Sequence, residues 1–226
     1  MTAHIIWDWN GTLFDDFEIS VAAAGAACRT VGGGDVTHDA YRKAFTRPVR
    51  SLYERLLDRP CTEPQWSAIA ECYHRTYQSL LHRVGLRHGA AEVLERLSGM
   101  GVTHSLLSMG EHEEVVALLK REGIASHFLA VEGMTRHQRT DSKRTAVVRH
   151  LATVREQYPS AFPADRVLLI GDTLDDNDAA VAVGAACVLL DDGSYDPDQA
   201  AKAAVPVASG LDAAAEFGLR MLKVLA

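Results

Sequence analysis

The stretch His4-Ile5-Ile6-Trp7-Asp8-Trp9-Asn10-Gly11-Thr12-Leu13-Phe14-Asp15-Asp16 decides how the rest of this chain is read. The apolar run from Ala3 to Trp7 is short and closed by a Gly turn, which predicts a buried strand. It ends on Asp8, a carboxylate delivered to the strand's C-terminal end. In open α/β sheets the crevice beyond the carboxyl ends of the strands is where ligands bind. A carboxylate there is placed to act as a nucleophile or a metal ligand. Alternation turns Trp7 and Trp9 to the side opposite Asp8, where they pack.

Further along, from Leu86, helices alternate with short apolar strands. Val93, Leu94, Leu97 and Met100 form one helix face. Val102 to Leu107 reads as a strand that finishes at Ser108-Met109-Gly110. A helix follows from Glu111 to Glu122, with basic Lys120 and Arg121 in its last turn and Gly123 as its stop. His127 to Val131 is the next strand, then a polar loop with Arg136, His137 and Arg139. Asp141 or Ser142 caps a helix carrying Lys143 in its first turn. Arg166 to Ile170 is a strand ending in Gly171-Asp172, followed by a helix from Asp175 to Gly184. Ala185 to Leu190 and Val205 to Val207 supply two more strands. This alternation predicts an α/β fold, a Rossmann-like, mostly parallel sheet with helices on both faces.

Between the first strand and Leu86 the pattern is helical. Phe17 to Thr30 is Ala-rich and stopped by Gly32-Gly33-Gly34, which fit no dinucleotide fingerprint. Pro48 opens a helix to Leu57. Thr62 and Gln65 match a capping box, and Trp66, Ile69, Tyr73, Tyr77 and Leu80 recur at helical spacing as a core stripe. The predicted domains are a core of residues 1–15 and 85–226 and an inserted α-helical cap at 16–84.

The 226 residues, 47% hydrophobic with formal net charge −7, suffice for one sizeable core plus an insertion. An acidic chain lacks the basic face that a grip on nucleic acid needs. No apolar run reaches the ~18 residues of a membrane span, and Asp8 interrupts any leader-like run. A cytoplasmic protein is expected. Cys28, Cys61, Cys72 and Cys187 have no zinc-type spacing and read as small buried hydrophobes.

Asp8, Ser108, Lys143, Asp172 and Asp176 thus fall at or just beyond strand ends that parallel pairing would bring to one edge. Carboxylates gathered at a point repel unless a cation sits among them, and oxygen donors suit Mg²⁺. A Lys and a Ser hydroxyl beside that ion would cradle a phosphoryl group. Asp8-Trp9-Asn10-Gly11-Thr12-Leu13, Ser108, Lys143 and Gly171-Asp172-Thr173-Leu174-Asp175-Asp176 resemble, in order and spacing, the four motifs of the haloacid dehalogenase superfamily. The helical block is similar to the cap of its phosphoglycolate-phosphatase-like members.

The resemblance implies a Mg²⁺-dependent phosphohydrolase acting on a small phosphorylated metabolite, as a monomer or homodimer. Asp8 would attack phosphorus and form an aspartyl-phosphate. Mg²⁺ would bind Asp8, the backbone carbonyl of Asn10 and Asp172. Asp176 would hold metal-bound water or support Lys143. Ser108 and Lys143 would hold phosphoryl oxygens, assisted by backbone N–H groups near Met109 and Gly110. Asn10 departs from the pattern, because most of these phosphatases have an acid/base Asp there. An amide can neither protonate a leaving group nor activate water. General acid–base help is worth ~10²–10⁴-fold, or roughly 3–5 kcal/mol of barrier. A substrate with a good leaving group, a substitute such as Asp15, Asp16 or His112, or a slow or inactive relative that binds ligands or partners would each accommodate Asn10.

Simpler readings compete at single positions. The simpler reading of Ser108 is a helix cap, and that of Lys143 a solvated first-turn Lys, although the helix dipole disfavours positive charge there. Asp175, Asp178 and His112-Glu113-Glu114 read as ordinary helix starts, and Arg47 and Arg50 as a solvated helix face. Phosphonate-cleaving relatives need a cap Lys, for which Lys43 is the one candidate, and a phospho-receiver domain is about half this length with no cap.

Overall fold

The computed structural model describes residues 2–135, 138, 142–163 and 165–225. The expectations for Arg136, His137, Arg139 and Asp141 lie outside the described residues. In chain order the elements are β1 (His4–Trp7), α1 (Phe17–Thr30), α2 (His38–Ala44), α3 (Val49–Leu57), α4 (Glu63–Leu80), α5 (Ala90–Gly99), β2 (Thr103–Glu111), α6 (His112–Arg121) and β3 (Phe128–Met134). There follow α7 (Lys143–Gln157), β4 (Val167–Gly171), α8 (Leu174–Val183), β5 (Ala186–Leu190), α9 (Pro197–Ala203), β6 (Val207–Ala208) and α10 (Leu211–Met221).

The six described strands form one sheet in the order β3-β2-β1-β4-β5-β6, with every pairing parallel. This is the expected Rossmann-like α/β arrangement. The order reverses at β1, so the crevice of such a sheet opens beside the end of that strand. Ile5, Ile6 and Trp7 are fully buried, as are Leu168, Ile170, Val188 and Leu189 on β4 and β5. Strands covered on both faces read as such continuous apolar runs. Helix α7 packs on α8, and α5 on α10.

The chain divides into two compact units. The first comprises Met1–Phe14, Leu86–Gly193 and Ala204–Ala226, and the second Asp15–Gly85 with Ser194–Ala203. Ser194–Ala203, expected in the core, therefore groups with the helical segment. That second unit has its own core of Val21, Ala24, Leu52, Tyr53, Ile69 and Cys72, against which Trp66 and Tyr73 pack. Its capping box is present, with the Thr62 side chain on Gln65 N and the Gln65 side chain on Thr62 N. Asp16 is buried there and accepts a hydrogen bond from Tyr77 Oη at 2.6 Å. All four cysteines are buried and free. Among the described residues no helix is long and apolar enough to cross a membrane.

Two expectations are corrected. Strand β2 does not stop at Leu107 but runs to Glu111, with a register shift against β3 between Leu107 and Glu111. A local irregularity, not a strand end, thus presents Ser108. Met100 is 45% exposed, because α5 ends at Gly99 and Met100 lies at its C-cap, off the apolar stripe. Helix α10, not foreseen, starts at Gly210 without a side-chain cap, so it carried no start signal.

The sheet also buries histidines. His4 Nδ1 meets Thr103 Oγ1 at 2.9 Å, its Nε2 meets Ser105 Oγ at 2.8 Å, and its ring stacks on Phe162. His104 Nδ1 accepts from Trp7 Nε1 at 3.1 Å. Burial pulls His4 down to about 3 and His104 down to about 4. Unfolded histidine titrates near 6.5. Below that pH the unfolded chain therefore binds more protons than the folded one, and stability falls as pH drops from about 6.5 towards 4. By pH 4.5 the two rings together should withdraw on the order of 5 kcal/mol. Urea midpoints measured from pH 7.5 to 4.5 should show this loss. His4→Gln should flatten the slope, and an unchanged slope would assign the acid sensitivity elsewhere.

Candidate active site

Strands β2, β1 and β4 are neighbours in that order, and the expected residues gather at their carboxyl ends. Asp8 follows β1, Asp172 follows β4, and Ser108 lies in the irregular part of β2. Lys143 opens α7 and Asp176 sits in the first turn of α8. All five side chains are buried.

The placement of Lys143 follows from a cap. The Ser142 hydroxyl accepts from Thr145 N at 3.1 Å, so the helix begins at Lys143, which turns inward instead of into solvent. Its Nζ lies between Asp8 Oδ1 and Asp176 Oδ1, the latter at 2.5 Å. The solvated reading of Lys143 is thereby excluded. Asp176 is held from its other side, where Oδ2 accepts from Thr173 N at 3.0 Å and Thr173 Oγ1 at 2.7 Å. One of its oxygens is thus spent on the helix cap and the other on Lys143. Asp8 Oδ2 accepts from Thr12 Oγ1 at 3.5 Å.

Two glycines make room for these acids. A Cβ on Gly11 would lie 2.4 Å from Asp172 Oδ2, and Gly11 has φ +72°. A Cβ on Gly171 would lie 2.1 Å from Asp176 Cγ. Both positions require glycine, the first for conformation and clearance, the second for clearance alone.

Ser108 Oγ donates to Asn10 Oδ1 at 3.4 Å and accepts from Gly110 N at 2.9 Å. It does not cap α6, whose N-cap is Glu111 without a side-chain bond. Met109 and Gly110 are half-buried.

The electrostatics follow from burial. Desolvation pushes Asp8 up to about 6, with Lys143 pulling back down and Asp176 pushing up. Burial alone would lower Lys143, but Asp176 and Asp8 hold it above its ordinary value. Asp8, Asp172 and Asp176 offer carboxylate oxygens within 4.8 Å of one another. Three carboxylates and one ammonium leave two negative charges if all are ionised, and uncompensated buried charge is costly. An all-oxygen donor set with that deficit fits a hard divalent cation such as Mg²⁺.

Of the expected substitutes for an acid at position 10, Asp16 and His112 are otherwise engaged. Asp16 holds Tyr77. His112 Nδ1 accepts from Gly133 N at 3.2 Å, and protonating that nitrogen would break the bond. Asp15 is exposed in the helical unit. Arg50 is paired with Glu54 and Glu63, and Lys43 with Asp39 at 2.9 Å. Thr12 and Thr173 were missed from the sequence. Thr173-x-x-Asp176 carries a capping-box signal that would have found the second, whereas Thr12 lies in a turn with no periodicity to betray it.

The model of haloacid dehalogenase-like hydrolases matches residues 5–190. Phosphoglycolate phosphatase from Synechococcus elongatus is 28% identical over 192 residues, 85% of each chain. Among solved structures, a predicted phosphatase from Clostridium acetobutylicum superposes with TM-score 0.77 at 15% identity over 98% of both chains. A haloacid dehalogenase-like family protein from Streptococcus pneumoniae gives TM-score 0.74 at 17% identity, covering 93% of this chain and 95% of that one. These structural likenesses carry the fold, and the match across residues 5–190 carries the family: this chain belongs to the haloacid dehalogenase-like hydrolases.

Proposed function

We propose that this phosphatase hydrolyses a small phosphorylated metabolite in two steps through Asp8. The observation that carries the reading is the buried set Asp8, Lys143, Asp172 and Asp176 beside neighbouring strand ends, with a net charge of −2 when all four are ionised. Mg²⁺ bound by Asp8, the Asn10 backbone carbonyl and Asp172 would supply the missing positive charge and polarise a phosphoryl oxygen. An Asp8 oxygen attacks phosphorus, and the bond to the leaving oxygen breaks with its electron pair on that oxygen. Water then cleaves the aspartyl-phosphate and frees inorganic phosphate. Lys143 orients Asp8 and, with Ser108 and the N–H groups near Met109 and Gly110, holds phosphoryl oxygens. Asp176 keeps Lys143 in place. The helical unit acts as the cap.

Asn10 lacks a transferable proton, which favours substrates whose leaving group departs unprotonated, such as acyl phosphates. The likeness to phosphoglycolate phosphatase supports including phosphoglycolate, an alkyl ester, in the comparison. We expect Mg²⁺-dependent phosphate release from acetyl phosphate well above that from phosphoglycolate, and loss of both with EDTA. Equal rates on both substrates would remove the leaving-group reading. Release untouched by EDTA would remove the metal. Because of Asn10, a chain that binds phosphate without turning it over is the second reading, and no release above background from either substrate would favour it.

A further inference from the structure

We infer that Arg87 is a positioning residue for the nucleophile, fixing the turn that follows Asp8. This rests on the reading of Asp8 as the nucleophile. Phe14 pairs with Leu86 in an isolated bridge, which brings Arg87 against the turn. Three successive carbonyls of that turn then point at this one residue. Arg87 N donates to Leu13 O at 2.8 Å, its Nε to Thr12 O at 3.0 Å, and its Nη2 to Gly11 O at 2.7 Å. Nη1 pairs with Asp192 Oδ2 at 2.6 Å, so the guanidinium is held on its far side as well. The Arg87 side chain is only 14% exposed.

The guanidinium fork suits this task. It presents several donors in one rigid plane, whereas an ammonium on a flexible stem could not meet two carbonyls and a carboxylate in the same geometry. Without it, the Gly11 and Thr12 carbonyls would lose partners in a buried setting and the turn would relax. The turn is also where two contacts of the site originate. Gly11, at φ +72°, backs directly onto the Asp172 carboxylate. The Thr12 hydroxyl reaches Asp8 Oδ2. A shift of the turn therefore moves the mutual placement of Asp8 and Asp172. Misplacement by about an ångström costs on the order of 100-fold in rate.

The test uses Arg87→Lys and Arg87→Gly, assayed with acetyl phosphate and Mg²⁺ beside wild type and Asp8→Asn. We expect kcat to fall about 10- to 100-fold with KM within threefold of wild type. Guanidinium ion at tens of millimolar should partly restore Arg87→Gly and leave wild type unchanged. Amide exchange in the peptide holding residues 9–14 should quicken in both variants. Wild-type kcat in Arg87→Lys together with unchanged exchange would overturn the inference. So would a kcat loss matched by a raised KM and not rescued by guanidinium. If Arg87→Gly does not fold, Arg87→Lys decides. If wild type itself is no better than Asp8→Asn, the nucleophile reading fails, and amide exchange still decides whether Arg87 holds the turn.

Discussion

Asp8→Asn is expected to lower turnover by on the order of 10⁴–10⁶-fold, the scale on which removing a nucleophile from a cooperating set of groups is felt. The substitution is nearly isosteric, and Lys143 keeps its contact with Asp176, so the site should persist without its reactive group. Stability should move the other way. Burial pushes Asp8 up to about 6, against an ordinary value near 3.9. Between those two values the folded chain binds the extra proton, so the Asp8 contribution is full below about 4 and is lost as pH rises through 6. At pH 7.5 without Mg²⁺ the ionised Asp8 is a cost, and its removal should raise Tm. Phosphate release and thermal melts on the same preparations check both halves. A variant that keeps measurable turnover, or one that melts lower than wild type without metal, would contradict this account of the site.

Asn10→Asp is the second large effect expected, in the opposite direction. An Asp at this position could give a proton to a departing alkoxide and take one from water, a gain of ~10²–10⁴-fold on alkyl esters. On acetyl phosphate the gain should be small, because that leaving group needs no proton. The neighbourhood accepts the change, since Ser108 Oγ already donates to Asn10 Oδ1, as it would to a carboxylate. Measuring kcat for phosphoglycolate and acetyl phosphate, with mass spectrometry of the peptide holding residue 10 to exclude deamidated Asn10-Gly11 in wild type, decides the matter. If the variant gains orders of magnitude while wild type stays at the Asp8→Asn level on both substrates, the natural chain is a binder and not a working phosphatase. If the variant gains nothing, position 10 does not limit the reaction.

Much of this was legible in the residues themselves. Ile5-Ile6-Trp7 is apolar without interruption because β1 is central and covered on both faces, and central strands show that pattern. The bounds of α1 were readable from an Ala-rich run and its Gly stop, and those of α4 from its capping box, because helix ends are local hydrogen-bonding problems with local solutions. Asp8 and Asp172 lay just past strands, so their convergence needed only parallel pairing. Where signals were not local, reading failed. Met100 matched the helical period but lay past the helix end, Ser194–Ala203 changed company, and α10 began without a cap.

What the sequence by itself determined is the chemistry available to this protein: carboxylates, one ammonium and one hydroxyl in motif order, with an amide at position 10. What only the tertiary structure decided is how those groups are used. Lys143 is shared by Asp8 and Asp176 because Ser142 starts α7 there and Thr173 ties down the far oxygen of Asp176. Gly11 fits against Asp172 because the turn has an Arg87 behind it, 76 residues away along the chain. Such arrangements leave no periodicity to read, because a contact between distant segments is set by the packing of the whole sheet and constrains only a single residue at each end.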